Sequence, residues 1–511
     1  MAPLEQTRYV YNAICAKVPD GRQRPDRPWI QQVRYPFMQH TSEQQAILER
    51  RPEGIIKVAA GAGCGKTSTL VAYGERWRGR GLYLAFNKAI ADEARRKFPK
   101  SIEPRTAHSF AYRALEVTKR GNVVPKFRHE HLDDYRDALQ PVPGMREGQM
   151  RTAVLKTIDN FLIDAGKRLK VEHCPIEDPA RSNAIRAIAK PILEQLMHFQ
   201  RHDRPITHDV YLKSFELLHC IDDAFDYIMV DEAQDLNPVL ISIAMKAKRP
   251  LLVVGDSYQS IYRFRGAVDA MDQFVGDPLP LSQSWRFGES VARIANRILA
   301  SHSMRPRFRL SGNPAIATEI VRYGGRLSIA PGTAILARTN ARLFMSLAPL
   351  ARPFHVIGGY RDLEQQVSSA WALRCGRVRE VADPAVARFA TWAHLDAAAE
   401  RGDAEAKRWG MIVEAYGEDL PAILSRLGAL HREKEADAQI VVSTAHKAKG
   451  REFDAVLVLD DFPRPSELRD RRQQKPELRT EIDQEINLLY VACTRARRKL
   501  FLAEQLHEEL V

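Results

Sequence analysis

Short, uninterrupted apolar runs recur along the chain, and segments of helical periodicity lie between them. An apolar run of this kind is typical of a strand buried on both faces of a parallel sheet. A first series comprises Ile55–Ala60, Leu82–Phe86, Tyr227–Asp231 and Leu251–Gly255. A second series comprises Ala334–Arg338, His355–Ile357, Ile440–Ser443, Val456–Leu459 and Leu500–Leu502. The pattern predicts an α/β fold with two domains in tandem.

Each series is interrupted by a longer stretch of helical character. These stretches, residues 116–226 and 361–437, predict one inserted helical subdomain in each domain. The basic segment Arg469–Lys475 lies in a proline-containing stretch and is predicted to be an exposed loop.

Length and composition agree with a soluble, multidomain protein. A chain of 511 residues exceeds a single hydrophobic core. The net charge of +13 favours a polyanionic partner such as nucleic acid, although a merely solubilising surface is the alternative. No stretch approaches the roughly 18 apolar residues that span a bilayer, and no signal peptide is evident, so we expect a cytoplasmic protein, associated with the nucleoid if the source is bacterial. The six cysteines form no CxxC pair and are expected to be reduced thiols.

The first apolar run leads into a phosphate-binding loop. Glycines at Gly61, Gly63 and Gly65 precede Lys66 and Thr67, where a helical pattern begins. Backbone N–H groups of such a loop surround phosphates, the lysine adds a mobile positive charge, and the threonine hydroxyl ligates Mg²⁺. The first position of the motif is Ala60 rather than glycine. The strand before the loop and the helix after it favour this interpretation over a chance glycine-rich turn.

The run Tyr227–Val230 ends in the acidic pair Asp231 and Glu232. Ligands of parallel sheets bind at the carboxyl ends of the strands, where these side chains emerge. Asp231 is predicted to hold Mg²⁺, and Glu232 to orient and deprotonate the attacking water. An acidic strand end without function is the alternative, and the presence of Lys66 disfavours it.

The segment Leu251–Ala267 resembles the third motif of the superfamily 1 DNA helicases of the UvrD/Rep/PcrA group. The resemblance implies that Gln259 approaches the γ-phosphate of ATP. Tyr262, Phe264 and Arg265 follow it in a layout that suits base stacking and neutralisation of the nucleic-acid backbone.

Further segments resemble the remaining motifs of these helicases in order, from Thr41 to Leu502. For the nucleotide, the resemblance implies adenine recognition by Gln44, a ribose contact by Glu452, and γ-phosphate contacts by Arg286 and Arg495. Near the base, Ser68 stands where these helicases often have an adenine-packing arginine, and Trp285 replaces the usual adenine-stacking tyrosine. For DNA, it implies contacts by Phe86, Asn87, His108, Arg338 and His446. The wording of several motifs is similar to that of the F-box DNA helicase branch, although no F-box is seen.

By this resemblance the fold consists of two tandem RecA-like P-loop domains, each with a helical insert. The first domain is expected at residues 1–115 and 227–278, and the second at 279–360 and 438–511. The second insert is short compared with the large subdomain typical of UvrD.

The resemblance implies an ATP-dependent 3′-to-5′ DNA helicase that uses ATP and Mg²⁺ and acts on single-stranded DNA and its junctions with duplex. A role in DNA repair or recombination, with protein partners from those processes, and a monomeric state are expected. The alternatives are a translocase that strips recombinase from DNA, an RNA-directed helicase, and a structural DNA-binding protein with a vestigial ATP site. A fused nuclease is not expected, because the chain ends at Val511, shortly after the last motif.

Overall fold

A computed structural model describes residues 40–511, except residues 86, 121, 202, 222–223, 262–269, 305 and 325–328. By their contacts, the residues form two compact units. The first contains the chain up to Ala60 together with Lys66–Leu281, and the second contains Gly61–Gly65 and Ser282–Val511.

The first unit is built on a six-stranded parallel sheet. The strands of this unit are β1 (Ile55–Ala60), β2 (Gly81–Ala85), β3 (Ile102–Thr106), β4 (Asn122–Val123), β5 (Pro205–Ile206), β6 (Tyr227–Val230), β7 (Leu251–Gly255) and β8 (Leu279–Leu281). The order in the sheet is β3-β2-β6-β7-β1-β8, and β4 pairs with β5 apart from it. Every residue of β2, β6 and β7 is buried, as the apolar runs predict.

Helices cover this sheet and form the first insert. They are α1 (Ser42–Leu48), α2 (Lys66–Arg76), α3 (Lys88–Lys97), α4 (Ala107–Ala114), α5 (Val117–Arg120), α6 (Glu147–Ile163), α7 (Pro179–Met197), α8 (His208–Leu218), α9 (Pro238–Lys246) and α10 (Ala270–Gln273). Ile228 and Val253 of the sheet share one apolar core with Val154, Ile192 and Phe215 of the insert. The insert is therefore packed as part of the first unit.

A second six-stranded parallel sheet organises the other unit. Its strands are β9 (Glu319–Tyr323), β10 (Thr333–Ala337), β11 (Phe354–Val356), β12 (Ile440–Thr444), β13 (Phe453–Val458) and β14 (Ala496–Ala503). The order is β11-β12-β10-β13-β14-β9. The prediction of an α/β fold with two tandem parallel-sheet domains is confirmed.

Ten helices accompany the second sheet among the described residues. They are α11 (Glu289–Leu299), α12 (Asn340–Leu347), α13 (Arg361–Arg374), α14 (Pro384–Ala387), α15 (Trp392–Glu400), α16 (Ala404–Tyr416), α17 (Leu420–Leu430), α18 (Pro465–Gln474), α19 (Arg479–Cys493) and α20 (Glu504–Leu510). Helices α13–α17 form the second insert, and its Val367 and Trp409 share a core with Ile335 and Leu457 of the sheet.

Two sequence-based expectations are corrected by the structure. The second domain was expected to begin at residue 279, but β8 pairs in parallel with Val58–Ala60 and so completes the first sheet. The segment Arg469–Lys475 was expected to be an exposed loop, but most of it lies in α18. Pro465 occupies the first turn of that helix, and Glu467 accepts from the backbone N–H of Arg464 at 3.0 Å, so the proline begins the helix instead of excluding it.

The outer strands of the first sheet both contain proline. Pro104 lies in β3 and Pro280 in β8. On β3, Nη2 of Arg95 also donates to the carbonyl oxygen of Pro104 at 3.3 Å. A proline has no N–H to donate to a neighbouring strand.

Within the described part of the chain, no helix combines the length and the apolar character needed to cross a membrane.

Candidate functional site

The loop between β1 and α2 adopts the backbone that its glycines allow. Gly63 has a φ of +73° and Gly65 a φ of +76°, in the left-handed region that favours glycine. Helix α2 begins directly after the loop at Lys66. A helix N-terminus preceded by such a loop is suited to an anionic phosphate group.

Lys66 and Glu232 form an ion pair at the start of α2. The Nζ atom of Lys66 lies 2.8 Å from Oε2 of Glu232. Burial alone would lower the pKa of the lysine, but the neighbouring carboxylates of Glu232, Asp231 and Asp256 raise the pKa above its ordinary value. The ammonium is therefore charged and held where a phosphate is expected.

Asp231 collects three hydrogen bonds at the end of β6. Its Oδ2 accepts from the Thr67 hydroxyl at 3.2 Å and from the Tyr83 hydroxyl at 2.8 Å, and its Oδ1 accepts from the backbone N–H of Glu232 at 2.8 Å. Burial, followed by the charge of Glu232, raises the pKa of this carboxyl, while Lys66 opposes the shift. Sequence reasoning missed Tyr83, which looks like an ordinary strand residue.

The Thr67 hydroxyl and the Asp231 carboxylate fit a magnesium ion. Mg²⁺ prefers hard oxygen ligands and usually takes one or two carboxylates together with water and substrate phosphates. Both oxygens lie beside Lys66, where those phosphates are expected. Elsewhere, within the described ranges, no group of three or more histidine, cysteine, aspartate or glutamate side chains is arranged to hold a metal.

Gln259 follows β7 in the 3₁₀ turn Ser257–Gln259 and is buried. Its Nε2 donates to Oδ2 of Asp256 at 2.6 Å. The structure thus fixes the orientation of the side chain that the motif predicts to approach the γ-phosphate.

Gln44 is also buried and contacts the helix that follows the phosphate loop. It lies in α1, where its side chain accepts from the backbone N–H of Thr41 at 3.0 Å and donates to Oγ1 of Thr69 at 3.2 Å. Ser68 precedes Thr69 and is exposed. The side chain of Gln44 therefore contacts the residue that follows Ser68 on α2.

In the second unit, the loop residues Gly61–Gly65 contact Trp285 and Tyr490. The backbone N–H of Trp285 donates to the carbonyl of Gly63 at 2.8 Å, and the backbone N–H of Ala62 donates to the Tyr490 hydroxyl at 2.9 Å. The Trp285 side chain is 44% exposed, which leaves a large aromatic surface for an adenine ring.

Arg286 and Glu452, predicted to contact phosphate and ribose, contact each other. Nε of Arg286 lies 2.8 Å from Oε2 of Glu452, and its Nη1 donates to the carbonyl of Thr494 at 3.0 Å. Arg495 is 1% exposed and donates to the carbonyls of Val491 at 2.9 Å and Arg451 at 3.2 Å. Both arginines are thus held within the second unit.

The predicted DNA contacts are only partly described. The side chain of Asn87 caps α3, where its Oδ1 accepts from the backbone N–H of Ile90 at 2.9 Å. On α4, Nε2 of His108 lies 4.0 Å from Oδ1 of Asp209. His446 lies in the turn after β12. Phe86, Tyr262, Phe264 and Arg265 lie outside the described residues.

Arg338, another predicted DNA contact, is held by Glu485. Its Nε and Nη2 each donate to that carboxylate at 2.6 Å. This hydrogen bonding raises the pKa of the guanidinium. The pairing fixes the arginine at the carboxyl end of β10.

Comparison with known proteins identifies two matching family models. Residues 40–275 match the UvrD/REP helicase N-terminal domain, and residues 413–506 match the UvrD-like helicase C-terminal domain. Together the two matches span more than half of the chain.

Individual relatives match nearly the whole chain. F-box DNA helicase 1 of Gallus gallus is 31% identical, over 92% of this chain and 49% of its own length. F-box DNA helicase protein 1 of Schizosaccharomyces pombe is 28% identical, over 90% of this chain and 57% of its own length. ATP-dependent DNA helicase UvrD2 of Mycobacterium tuberculosis is 26% identical, over 92% of this chain and 79% of its own length. The chain thus spans about half the length of the F-box relatives that it resembles.

Proposed function

The chain belongs to the UvrD-like helicases, and from this premise we propose that it couples ATP hydrolysis to 3′-to-5′ movement along single-stranded DNA and to strand separation. One observation carries the proposal: Lys66 and Glu232 lie 2.8 Å apart beside the Thr67–Asp231 pair. This arrangement supplies a phosphate-binding cation, a base and two hard oxygen ligands at one strand end.

The residues of the first unit divide the work of phosphoryl transfer. Lys66 neutralises the phosphates, and Glu232 orients the attacking water and accepts its proton. Thr67 and Asp231 would hold a magnesium ion, which would supply positive charge against the phosphates. Gln259, whose side chain donates to Asp256, would sense whether the γ-phosphate is present.

Arg286 and Arg495 are proposed to stabilise charge on the γ-phosphate, as the motif resemblance implies. Arg286 would then donate to phosphate oxygens instead of to Glu452. Arg495 would donate to phosphate oxygens instead of to the backbone carbonyls of Val491 and Arg451. Such an exchange makes the arrangement of the second unit depend on the nucleotide.

Single-stranded DNA and its junctions with duplex are the proposed substrate, and the net charge of +13 supports a polyanionic ligand. We also propose a monomeric protein of the cytoplasm that acts in DNA repair or recombination. In a bacterial source it would associate with the nucleoid.

Unwinding of duplexes with a 3′ tail, a 5′ tail or a fork, in the presence of ATP and Mg²⁺, tests the proposal. We expect strand separation of the 3′-tailed and forked substrates, and none with Lys66→Ala. Unwinding of 5′-tailed duplex alone would refute the polarity. ATP-dependent removal of a protein from DNA without strand separation would favour the protein-stripping translocase.

A further inference from the structure

Gln234 and Asp256 are buried polar residues. Gln234 has had no role so far, and Asp256 has appeared only as a charge near Lys66 and as the hydrogen-bond partner of Gln259. Gln234 is 0% exposed and Asp256 is 1% exposed. Gln234 lies two residues after Glu232 in the 3₁₀ turn Ala233–Asp235, and Asp256 directly follows β7. Because buried polar groups require hydrogen-bond partners, the partners of these two side chains indicate what they do.

The amide of Gln234 connects the ends of two neighbouring strands. Its Nε2 donates to Oε2 of Glu232 at 2.5 Å, and its Oε1 accepts from the backbone N–H of Asp256 at 3.0 Å. A Cβ atom added at Gly255 would lie 2.9 Å from Oε1 of Gln234. The absence of a side chain at Gly255 therefore allows the amide to reach the second strand.

Asp256 extends this connection to Gln259. Its Oδ2 accepts from Nε2 of Gln259 at 2.6 Å, and its Oδ1 accepts from the backbone N–H of Tyr258 at 3.1 Å. Hydrogen bonds thus run without a break from Glu232 through Gln234 and Asp256 to Gln259.

The conformation of Glu232 explains why its position needs support. Its φ is +50°, a left-handed backbone that a non-glycine residue keeps only when its surroundings hold it. Lys66 and Gln234 both contact its carboxylate. When Lys66 turns to a bound phosphate, Gln234 still holds the carboxylate in place.

We propose that Gln234 and Asp256 are positioning residues that transmit the placement of Gln259 to the base Glu232. The inference rests on the proposed function. Gln234 and Asp256 touch neither nucleotide nor DNA in this role, and they act on the rate of hydrolysis.

Gln234→Glu tests the connection with little change in shape, because an oxygen replaces the nitrogen that donates to Glu232. We expect kcat of ssDNA-stimulated hydrolysis to fall at least about tenfold, with Kd for a non-hydrolysable ATP analogue and for ssDNA within about twofold of wild type. A residue that only stabilises the fold would not lower kcat while leaving both Kd values unchanged.

Asp256→Asn should give the same loss of kcat, and the double variant should be no slower than the slower single variant, since both changes interrupt one connection. Asn160→Asp is the matched control. Asn160 is an amide in the first insert that donates to the carbonyl of His173 at 2.8 Å, and its replacement should leave kcat within about twofold.

We call the hydrogen-bonded connection from Gln259 through Asp256 and Gln234 to Glu232 the relay. The possible outcomes distinguish a failure of the relay from a failure of the proposed function on which it rests. A wild-type protein without ssDNA-stimulated hydrolysis would overturn the proposed function and the relay together. A stimulated wild type with unchanged kcat in both variants would overturn the relay alone. If thermal unfolding shows that Gln234→Glu does not fold, Asp256→Asn decides by its kcat, and failure of both to fold would assign the pair a structural role and overturn the relay.

Discussion

The Nζ atom of Lys66 lies 2.8 Å from Oε2 of Glu232, so the phosphate-binding cation and the proposed base neutralise each other before substrate arrives. The two charges stabilise each other. This pairing matters because the site is largely buried, and burial of one charge without its counter-ion would be costly. In the proposed reaction, binding of ATP would replace this pairing, since the phosphates would compete with Glu232 for the ammonium.

Replacing Lys66 by alanine should abolish ssDNA-stimulated ATP hydrolysis. The ammonium stabilises charge that develops on the phosphate, and removal of one such group typically lowers kcat about a hundred- to a thousandfold. Binding of ssDNA, measured by fluorescence anisotropy, should stay within about twofold, since the lysine is directed to phosphate. Undiminished turnover in the variant would refute the assignment of the phosphate site.

Tyr83→Phe should weaken the binding of Mg²⁺ and so raise the Mg²⁺ concentration that the reaction requires. The variant loses the hydrogen bond from the phenol to Asp231, which holds the pKa of that carboxyl down. The pKa therefore rises further and the carboxylate is lost at higher pH. We expect the Mg²⁺ concentration for half-maximal turnover to rise about threefold or more, and to rise further at pH 6 than at pH 8.

Tyr73→Phe is the control for that experiment. Tyr73 is equally buried in the first unit, but its hydroxyl donates to the carbonyl of Arg50 at 3.0 Å. Its variant should keep the wild-type Mg²⁺ requirement. An identical Mg²⁺ shift in both variants would show that general loss of packing, and not the contact with Asp231, is responsible.

Trp285→Ala should raise KM for ATP about two- to tenfold with a smaller change in kcat. The 44% exposed indole is the proposed platform for adenine, and a lost aromatic stack costs about 0.5 to 1.5 kcal/mol. Steady-state ATPase kinetics measure the effect, with Trp392→Ala in the second insert as the control. Equal KM values for the wild type and Trp285→Ala would remove this tryptophan from the nucleotide site.

Glu216→Gln should destabilise the first unit by about 3 kcal/mol in urea unfolding. Glu216 and Lys213 are fully buried on α8 with 2.9 Å between their charged groups, so the neutral variant leaves a buried ammonium without its counter-ion. Glu93→Gln on the exposed face of α3 is the control, and loss of its ion pair with Lys97 should cost less than about 1 kcal/mol. Similar losses in both variants would contradict this account.

The same carboxylate predicts how stability depends on pH. Burial would raise the pKa of Glu216, but hydrogen bonds from Lys246, Lys213 and Ser242 outweigh it, and the pKa lies below its ordinary value of 4.5. A lowered pKa stabilises the fold above pH 4.5, and that stabilisation is lost as pH falls through the native value. The free energy of unfolding should therefore decrease below that pH in the wild type, and Glu216→Gln should show a weaker dependence.

Sequence patterns predicted the centres of the two sheets better than their edges. The bounds of β1 and β7 agree with the predicted apolar runs, and both strands lie inside the first sheet. The strands β3, β8 and β9 were not predicted, and each lies at a sheet edge. An edge strand has a neighbour on one side only and tolerates polar residues and proline, so its sequence lacks the long apolar run.

The parts of the site that could be predicted from the sequence are those formed by residues close together in the chain. Contacts between residues far apart in the chain could not be predicted. The phosphate loop and the acidic pair are each recognisable from a few consecutive residues. By contrast, Tyr83 and Asp231 are 148 residues apart, and Arg286 and Glu452 are 166 apart. No local pattern indicates that such side chains meet, because that depends on strand order.

The prolines in the two outer strands of the first sheet bear on how the protein behaves at high concentration. A sheet edge with free N–H and C=O groups can recruit strands from other molecules. Pro104 and Pro280 remove a donor from each border, and Arg95 occupies a carbonyl on one of them. The first sheet is thereby protected against edge-to-edge aggregation, and replacement of both prolines by valine should make the protein precipitate at lower concentrations.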